Sequence, residues 1–237
     1  MLCFPAAVCV IMNMTVCLAG VPLELTLHYP DYGPEFAPFR TDRPPAAAVP
    51  ETVQPDPYEE QMALSLRASE SLLAFDRVIF HGVAYRWRER AWILTAFSGT
   101  GKTTQYMQWK RLYGDEVQII NGDKPVLEFR DRDILVHPSP WRGKERMGQP
   151  ISAPLGGVIL LEQGPENRIT RLSPRQAAGR IFCQLQLTRD MAEPVRRAAA
   201  LAERLLRSVP LWQLTNRGDL ASAQLTHDTI GKEENRE

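Results

Sequence analysis

Residues 96–105 read AFSGTGKTTQ, and the segments on either side decide what they mean. Upstream, Arg90-Ala91-Trp92-Ile93-Leu94-Thr95-Ala96 is an apolar, β-prone run, which predicts a strand. Downstream, Lys102 to Tyr113 holds neither Gly nor Pro and stops before Gly114, which predicts a helix with a glycine after its end. A glycine-containing turn between strand and helix lets the backbone curl, so that successive N–H groups converge on one point. The positive end of the helix aims at the same point. The pattern therefore predicts a cradle for a nucleoside triphosphate, built from Ser98, Gly99, Thr100, Gly101, Lys102, Thr103 and Thr104. Lys102 brings a positive charge for the β- and γ-phosphates, and the Thr103 hydroxyl is placed to ligate Mg²⁺. Ala96 stands where the Walker pattern has its first glycine.

Working outward, phosphoryl chemistry also needs a metal-holding acid at the end of a neighbouring strand. Asp123 fits, because it follows the apolar run Val117 to Ile120. As a residue after Asn-Gly it also suits a plain turn. Short strands are expected at Val78–Phe80 and Val83–Trp87. A hairpin is expected from Val126–Phe129 and Ile134–His137, with further strands at Gly157–Leu161, Arg168–Leu172 and Pro210–Leu214. Helices are expected at Tyr58–Phe75 (Met62, Leu66 and Leu73 on one face), Pro174–Leu187, from Asp190 to Ser208, and Leu220–Ile230. Asp190 with Glu193 resembles a capping box. Val195, Ala198, Ala202, Leu205 and Val209 form an apolar stripe. Alternating strands and helices with hairpins predict an α/β fold with a mixed sheet and flanking helices.

The first twenty residues are apolar. They lack a positive n-region and are interrupted by Pro5 and Asn13, so a signal peptide fits less well than a start at Met12 or Met14. Thr15 to Leu27 then makes a hairpin turning near Gly20. Residues 30–57 carry eight of the nineteen prolines and predict an extended arm rather than core. The chain so divides into an N-terminal hairpin and arm (1–57), a nucleotide-binding domain (58–230) and a charged tail (231–237) expected to be disordered. Cys3, Cys9, Cys17 and Cys183 form no C-x-x-C pair, which fits free thiols in a reducing, cytoplasmic compartment. Twenty-eight basic and twenty-eight acidic residues cancel, which speaks against nucleic acid or a membrane surface as partner.

From Phe80 onward the motifs resemble those of the HPr kinase/phosphorylase and ATP-dependent phosphoenolpyruvate carboxykinase family, and most of all its small bacterial members, which often accompany peptide-modification genes. Phe80-His81-Gly82-Val83-Ala84 is similar to the family's F-H-G-S-A, and Ala96 to Thr104 to its A-P-S-G-T-G-K-S-T. Asn121-Gly122-Asp123-Lys124-Pro125 matches N-D-D-K-P. Ser139 to Lys144 matches T-P-W-x-G-K, and Leu160 to Ile169 matches F-L-E-R-G-x-E-N-R-I. The resemblance implies a P-loop kinase of this type, using ATP and Mg²⁺ to phosphorylate a serine-type hydroxyl of a peptide, protein or small metabolite. It implies phosphate binding by Lys102, metal binding by Thr103 and Asp123, and catalytic roles for Asp123, His81 and Lys102. Arg142, Lys144, Glu162 and Arg168 are implied to line the acceptor side, although Glu162 and Arg168 also suit an ion pair between neighbouring strands. Trp141 fits a packing anchor. Assembly into a homo-oligomer stays open.

One departure bears on mechanism: the family has two adjacent acids where this chain has Gly122-Asp123. Val83 and Phe97 also replace a serine and a proline of the pattern. A lone acid must hold metal and accept the proton, or share the work with His81 or Glu162. The alternative is a nucleotide-binding regulatory or scaffold protein with a degenerate site. On that view, restoring the acid by Gly122→Asp raises transfer.

Overall fold

Along the chain, a computed structural model describes residues 11–29 and 32–234. The elements in order are β1 (Met12–Leu18), β2 (Val21–Leu27), α1 (Gly33–Phe36), β3 (Ala47–Ala48), α2 (Pro57–Leu72), β4 (Arg77–Ile79), β5 (Val83–Trp87), β6 (Arg90–Thr95) and α3 (Lys102–Tyr113). Then come β7 (Val117–Asn121), β8 (Val126–Phe129), β9 (Ile134–His137), β10 (Ala153–Gln163), β11 (Arg168–Arg171), α4 (Pro174–Gln184), α5 (Ala192–Ser208), β12 (Leu211–Asn216) and α6 (Leu220–Glu234).

The expected strand 90–96 forms as β6, one residue shorter, and sits in the middle of the large sheet. The sheet runs β4-β8-β9-β10-β6-β5-β7, with β12 on β10 and β11 outside β12. β10 and β12 run parallel to β6, whereas β5 is antiparallel to both β6 and β7, so the sheet is mixed. Its side chains alternate between two cores, as the strand period requires. Ala91, Ile93, Val158 and Leu160 pack with Ala177 and Ile181 of α4 and Ala198, Leu201, Ala202 and Leu205 of α5. Trp92, Leu94, Ile159 and Leu161 face the other way, onto Tyr106 and Trp109 of α3 and Ala223 and Ile230 of α6. The result is a helix–sheet–helix sandwich with the loop 96–101 at one end of its central strand.

β1 and β2 form the expected hairpin. Its turn is Ala19-Gly20, with φ of 47° and 83°, the paired left-handed backbone that suits tight antiparallel hairpins. The proline-rich segment is more than an arm. Phe36 is fully buried and meets Trp141 edge-on at 5.6 Å between ring centres, Val49 is buried, and β3 adds a parallel strand to β2. These join Leu64, Ala68 and Leu72 of α2 in a third core. Proline set the backbone there without deciding burial.

Other expectations shift. The apolar stripe of α2 is Leu64, Ala68 and Leu72, with Met62 and Leu66 only half-buried, because the helix turns Glu60 inward. There Glu60 accepts the His28 and Tyr29 N–H groups at 2.6 and 3.2 Å. Asp190 and Glu193 form no capping box: Met191 occupies the cap of α5 without a side-chain bond, and Glu193 pairs with Arg196 and Arg197. The real capping box is Ser173 with Gln176, ahead of α4. That helix stops at Gln184, three residues short of the expected end. α6 runs through Gly231 to Glu234, beyond the expected end at Ile230. Of the first twenty residues, 12–18 form β1 and 19–20 its turn, while residues 1–10, with Cys3 and Cys9, lie outside the described part. Cys17 and Cys183 are free thiols. Among the described residues no helix is long and apolar enough to cross a membrane.

Candidate functional site

Two of the loop's residues, Gly99 and Gly101, have φ of 80° and 97°. A Cβ on either would meet nothing within 4 Å, so the turn itself demands glycine, not crowding. Lys102 opens α3, and its ammonium folds back to donate to the carbonyl oxygens of Ala96 (3.0 Å) and Phe97 (3.3 Å). The Thr100 hydroxyl donates to the same Phe97 carbonyl at 2.9 Å. Burial lowers the Lys102 pKa, Asp123 opposing and Lys124 assisting. Lys102 is thus a buried cation at the mouth of a glycine turn, its own carbonyl partners being the first residues of the loop.

His81 follows β4 and is fixed from three directions. Its N–H donates to the Gln184 carbonyl at 2.8 Å, and its carbonyl accepts the Thr95 hydroxyl at 2.8 Å. Its ring Nδ1 lies 3.0 Å from Gln184 Oε1. Nε2 then faces Asp123 Oδ1 at 3.5 Å. Burial and the Lys102 ammonium lower the imidazole pKa below its ordinary 6.5, with Asp123 pulling the other way. The ring is therefore neutral near pH 7.

Asp123 sits just after β7, in a loop organised by the fully buried Asn121. The Asn121 side-chain carbonyl accepts the N–H groups of Asp123 (2.9 Å) and Lys124 (2.7 Å). Its amide donates to the Ser139 carbonyl at 3.0 Å. Asp123 Oδ2 pairs with Lys124 Nζ at 2.8 Å, which leaves Oδ1 toward His81. Gly122 has no room for a side chain: a Cβ would lie 2.7 Å from the Arg142 carbonyl oxygen and 3.1 Å from that of Met147. An acid at 122 would crowd backbone, so restoring the second acid carries a packing cost in this fold.

The structure brings Lys102, His81 and Asp123 together. The substrate-side residues scatter. Glu162 lines, with Phe97, a cavity of about 540 Å³ and bonds Arg180 (3.3 Å) and Gln213 (2.6 Å). It does not meet Arg168: both residues register with Thr215, from opposite edges of β12, so their strands are not neighbours. Arg142 contributes its carbonyl against Gly122 and lays its side chain over Gly148. Lys144 and Arg168 are exposed and line no part of that cavity. Trp141 is buried against Phe36.

Gln184 and Arg180 were not singled out from sequence, and Asn121 and Lys124 stood only as positions of a motif, without a role. Gln184 had one signal: it stands where the α4 stripe Ala177, Ile181 calls for another apolar residue, yet it is buried. Among the described residues no group of three His, Cys, Asp or Glu could hold a metal ion. The donor set on offer is one carboxylate and the Thr103 hydroxyl. That suits an ion which keeps most of its waters and takes further oxygens from a bound phosphate, as Mg²⁺ does.

No protein-family model and no curated protein matches the chain. Among solved structures it is similar to the HPr(Ser) kinase/phosphatase from Coxiella burnetii. The two share 10% identity with a TM-score of 0.37, over 67% of this chain and 93% of that one. A likeness that distant does not bear on function, which rests on the site's own chemistry.

Proposed function

We propose that the chain binds ATP on the loop 98–104 and transfers its γ-phosphoryl group to a hydroxyl of a peptide, protein or small metabolite. The observation that carries this is the meeting of Lys102, seated on the Ala96 and Phe97 carbonyls, with the His81–Asp123 pair. Loop N–H groups and the start of α3 receive phosphate oxygens. Lys102 neutralises charge building on the β- and γ-phosphates. Thr103 and Asp123 would hold Mg²⁺, which when bound offsets phosphate charge. His81, neutral near pH 7, accepts the hydroxyl proton directly or through Asp123. The attacking oxygen bonds the γ-phosphorus as the bond to the bridging oxygen breaks, and ADP leaves.

A second reading, nucleotide binding without transfer, is favoured by one observation: Asp123 is a lone acid with one oxygen already paired to Lys124. Incubating the protein with γ-labelled ATP, Mg²⁺ and a cell extract separates the two. The kinase predicts labelled acceptor, lost in Lys102→Ala. Tight ATP binding with no labelled product from any extract would instead establish the binding protein.

A further inference from the structure

The loop 96–101 has open space on both sides, and Thr100 lines each. On one side is the cavity of about 540 Å³, walled by Phe97, Glu162 and, on α4, Gly179, Arg180, Cys183 and Gln184. On the other is a cleft of about 370 Å³ between Thr104 and the turn at Asn216 to Gly218. The two ends of a bound triphosphate are not equivalent. The γ end belongs at the Lys102 ammonium, which rests on the Ala96 and Phe97 carbonyls, and the nucleoside belongs past the helix start, by Thr104. Lys102, His81 and Asp123 do not line the cavity themselves; Ala96 and Phe97, whose carbonyls hold the Lys102 ammonium, do, and this sets the cavity beside the transfer end. Gln184 ties its wall to the chemistry, through the 3.0 Å bond to His81.

The α4 wall is built for an occupant. Positions 179, 180, 183 and 184 share one helix face. Gly179 stands mid-helix, where glycine weakens the helix relative to alanine. A Cβ there would meet nothing within 4 Å, so crowding does not explain it, and the backbone is ordinary helix. Its effect is to bare the helix backbone toward the cavity. Next to it, Arg180 Nη1 reaches Gln213 Oε1 at 3.1 Å and Glu162 Oε1 at 3.3 Å. Its Nε and Nη2 have no partner among the described residues. A guanidinium edge left open at a cavity wall fits an oxyanion.

We propose that this cavity is the acceptor site, and that the acceptor is a small hydroxylated molecule bearing a carboxylate or phosphate. Its body lies against Gly179 and the apolar wall, and its oxyanion meets Arg180. The proposal rests on the kinase reading above and narrows it, since about 540 Å³ is room for a small molecule. The step is the one already written: the acceptor oxygen takes the γ-phosphoryl group, ADP departs, and the hydroxyl proton passes to the His81–Asp123 pair.

The test uses the whole protein, γ-labelled ATP and a cell extract divided by ultrafiltration into a low-mass filtrate and a protein fraction. Label should enter the filtrate. Gly179→Leu should cut that transfer by about tenfold or more while ATP binds as before. Gly179→Ala should raise Tm, showing that the position tolerates a side chain. Arg180→Met should raise about tenfold the filtrate concentration giving half-maximal transfer, with ATP affinity unmoved. Label confined to the protein fraction, or Gly179→Leu transferring at the wild-type rate, overturns the proposal. No transfer to either fraction by a protein that binds ATP overturns the kinase reading instead.

Discussion

Two loops meet at this site, and they are built differently. The loop at 96–101 is local: a strand, two glycines with left-handed backbone and a helix start, its lysine bonded to carbonyls five and six residues back. The loop at 121–124 is distant: Asn121 reaches Ser139, Gly122 abuts Arg142 and Met147, and Gly82 donates to the Asp123 carbonyl. The first is a motif that a short stretch of sequence can specify. The second is held by tertiary packing, so its residues carry stability and chemistry at once.

That contrast can be broken by mutations that should act oppositely. The largest effect is expected at the local loop. Lys102→Ala should lower phosphoryl transfer by about 10²–10³-fold. It should weaken ATP binding yet leave Tm near wild type, because it removes a buried charge. A parallel fall in Tm, measured with affinity by calorimetry, would show that the loop is structural. Asn121→Ala is the mirror case. It takes the acceptor from the Asp123 N–H, leaves the Lys124 N–H only the Trp141 carbonyl at 3.2 Å, and should cost about 1–3 kcal/mol in denaturant unfolding, with ATP affinity kept.

Gly122→Asp sharpens the comparison further. Crowding against two backbone oxygens should cost about 1–3 kcal/mol. Transfer should fall, and a gain would mean the loop opens freely. The smallest effect is the pH dependence. With the His81 pKa held below 6.5, transfer by the neutral ring should fall only on acidification beneath that value, and His81→Gln should abolish this limb. Stability follows the same sign. The unfolded chain takes up the proton first as pH drops through 6.5, so the stability present above that pH is lost as pH falls toward the folded-state value.

The same contrast explains what the sequence could say. Strands 83–87, 126–129 and 134–137 form at the expected bounds, because period-two patterning and turn residues are local signals. Lys102, Asp123 and His81 stood out by motif, and the fold brings them together. Gln184 did not, since its role arises from a partner 103 residues away. Gly122 was legible as a missing acid but not as a packing necessity, because the carbonyls that exclude a side chain belong to residues 142 and 147. Glu162 and Arg168 looked like neighbours only while the place of β12 between their strands was unknown.

The central claim is that a single acid, Asp123, opposite Lys102 is enough for phosphoryl transfer. Its most direct test is the single-turnover rate of γ-phosphoryl transfer from Mg²⁺–ATP by wild type and Asp123→Asn, with ATP affinity measured alongside. The account predicts transfer by the wild type and a loss of about 10²–10³-fold in the variant, which still binds ATP. Equal rates in the two proteins, or no transfer by the wild type at saturating ATP and acceptor, would contradict it.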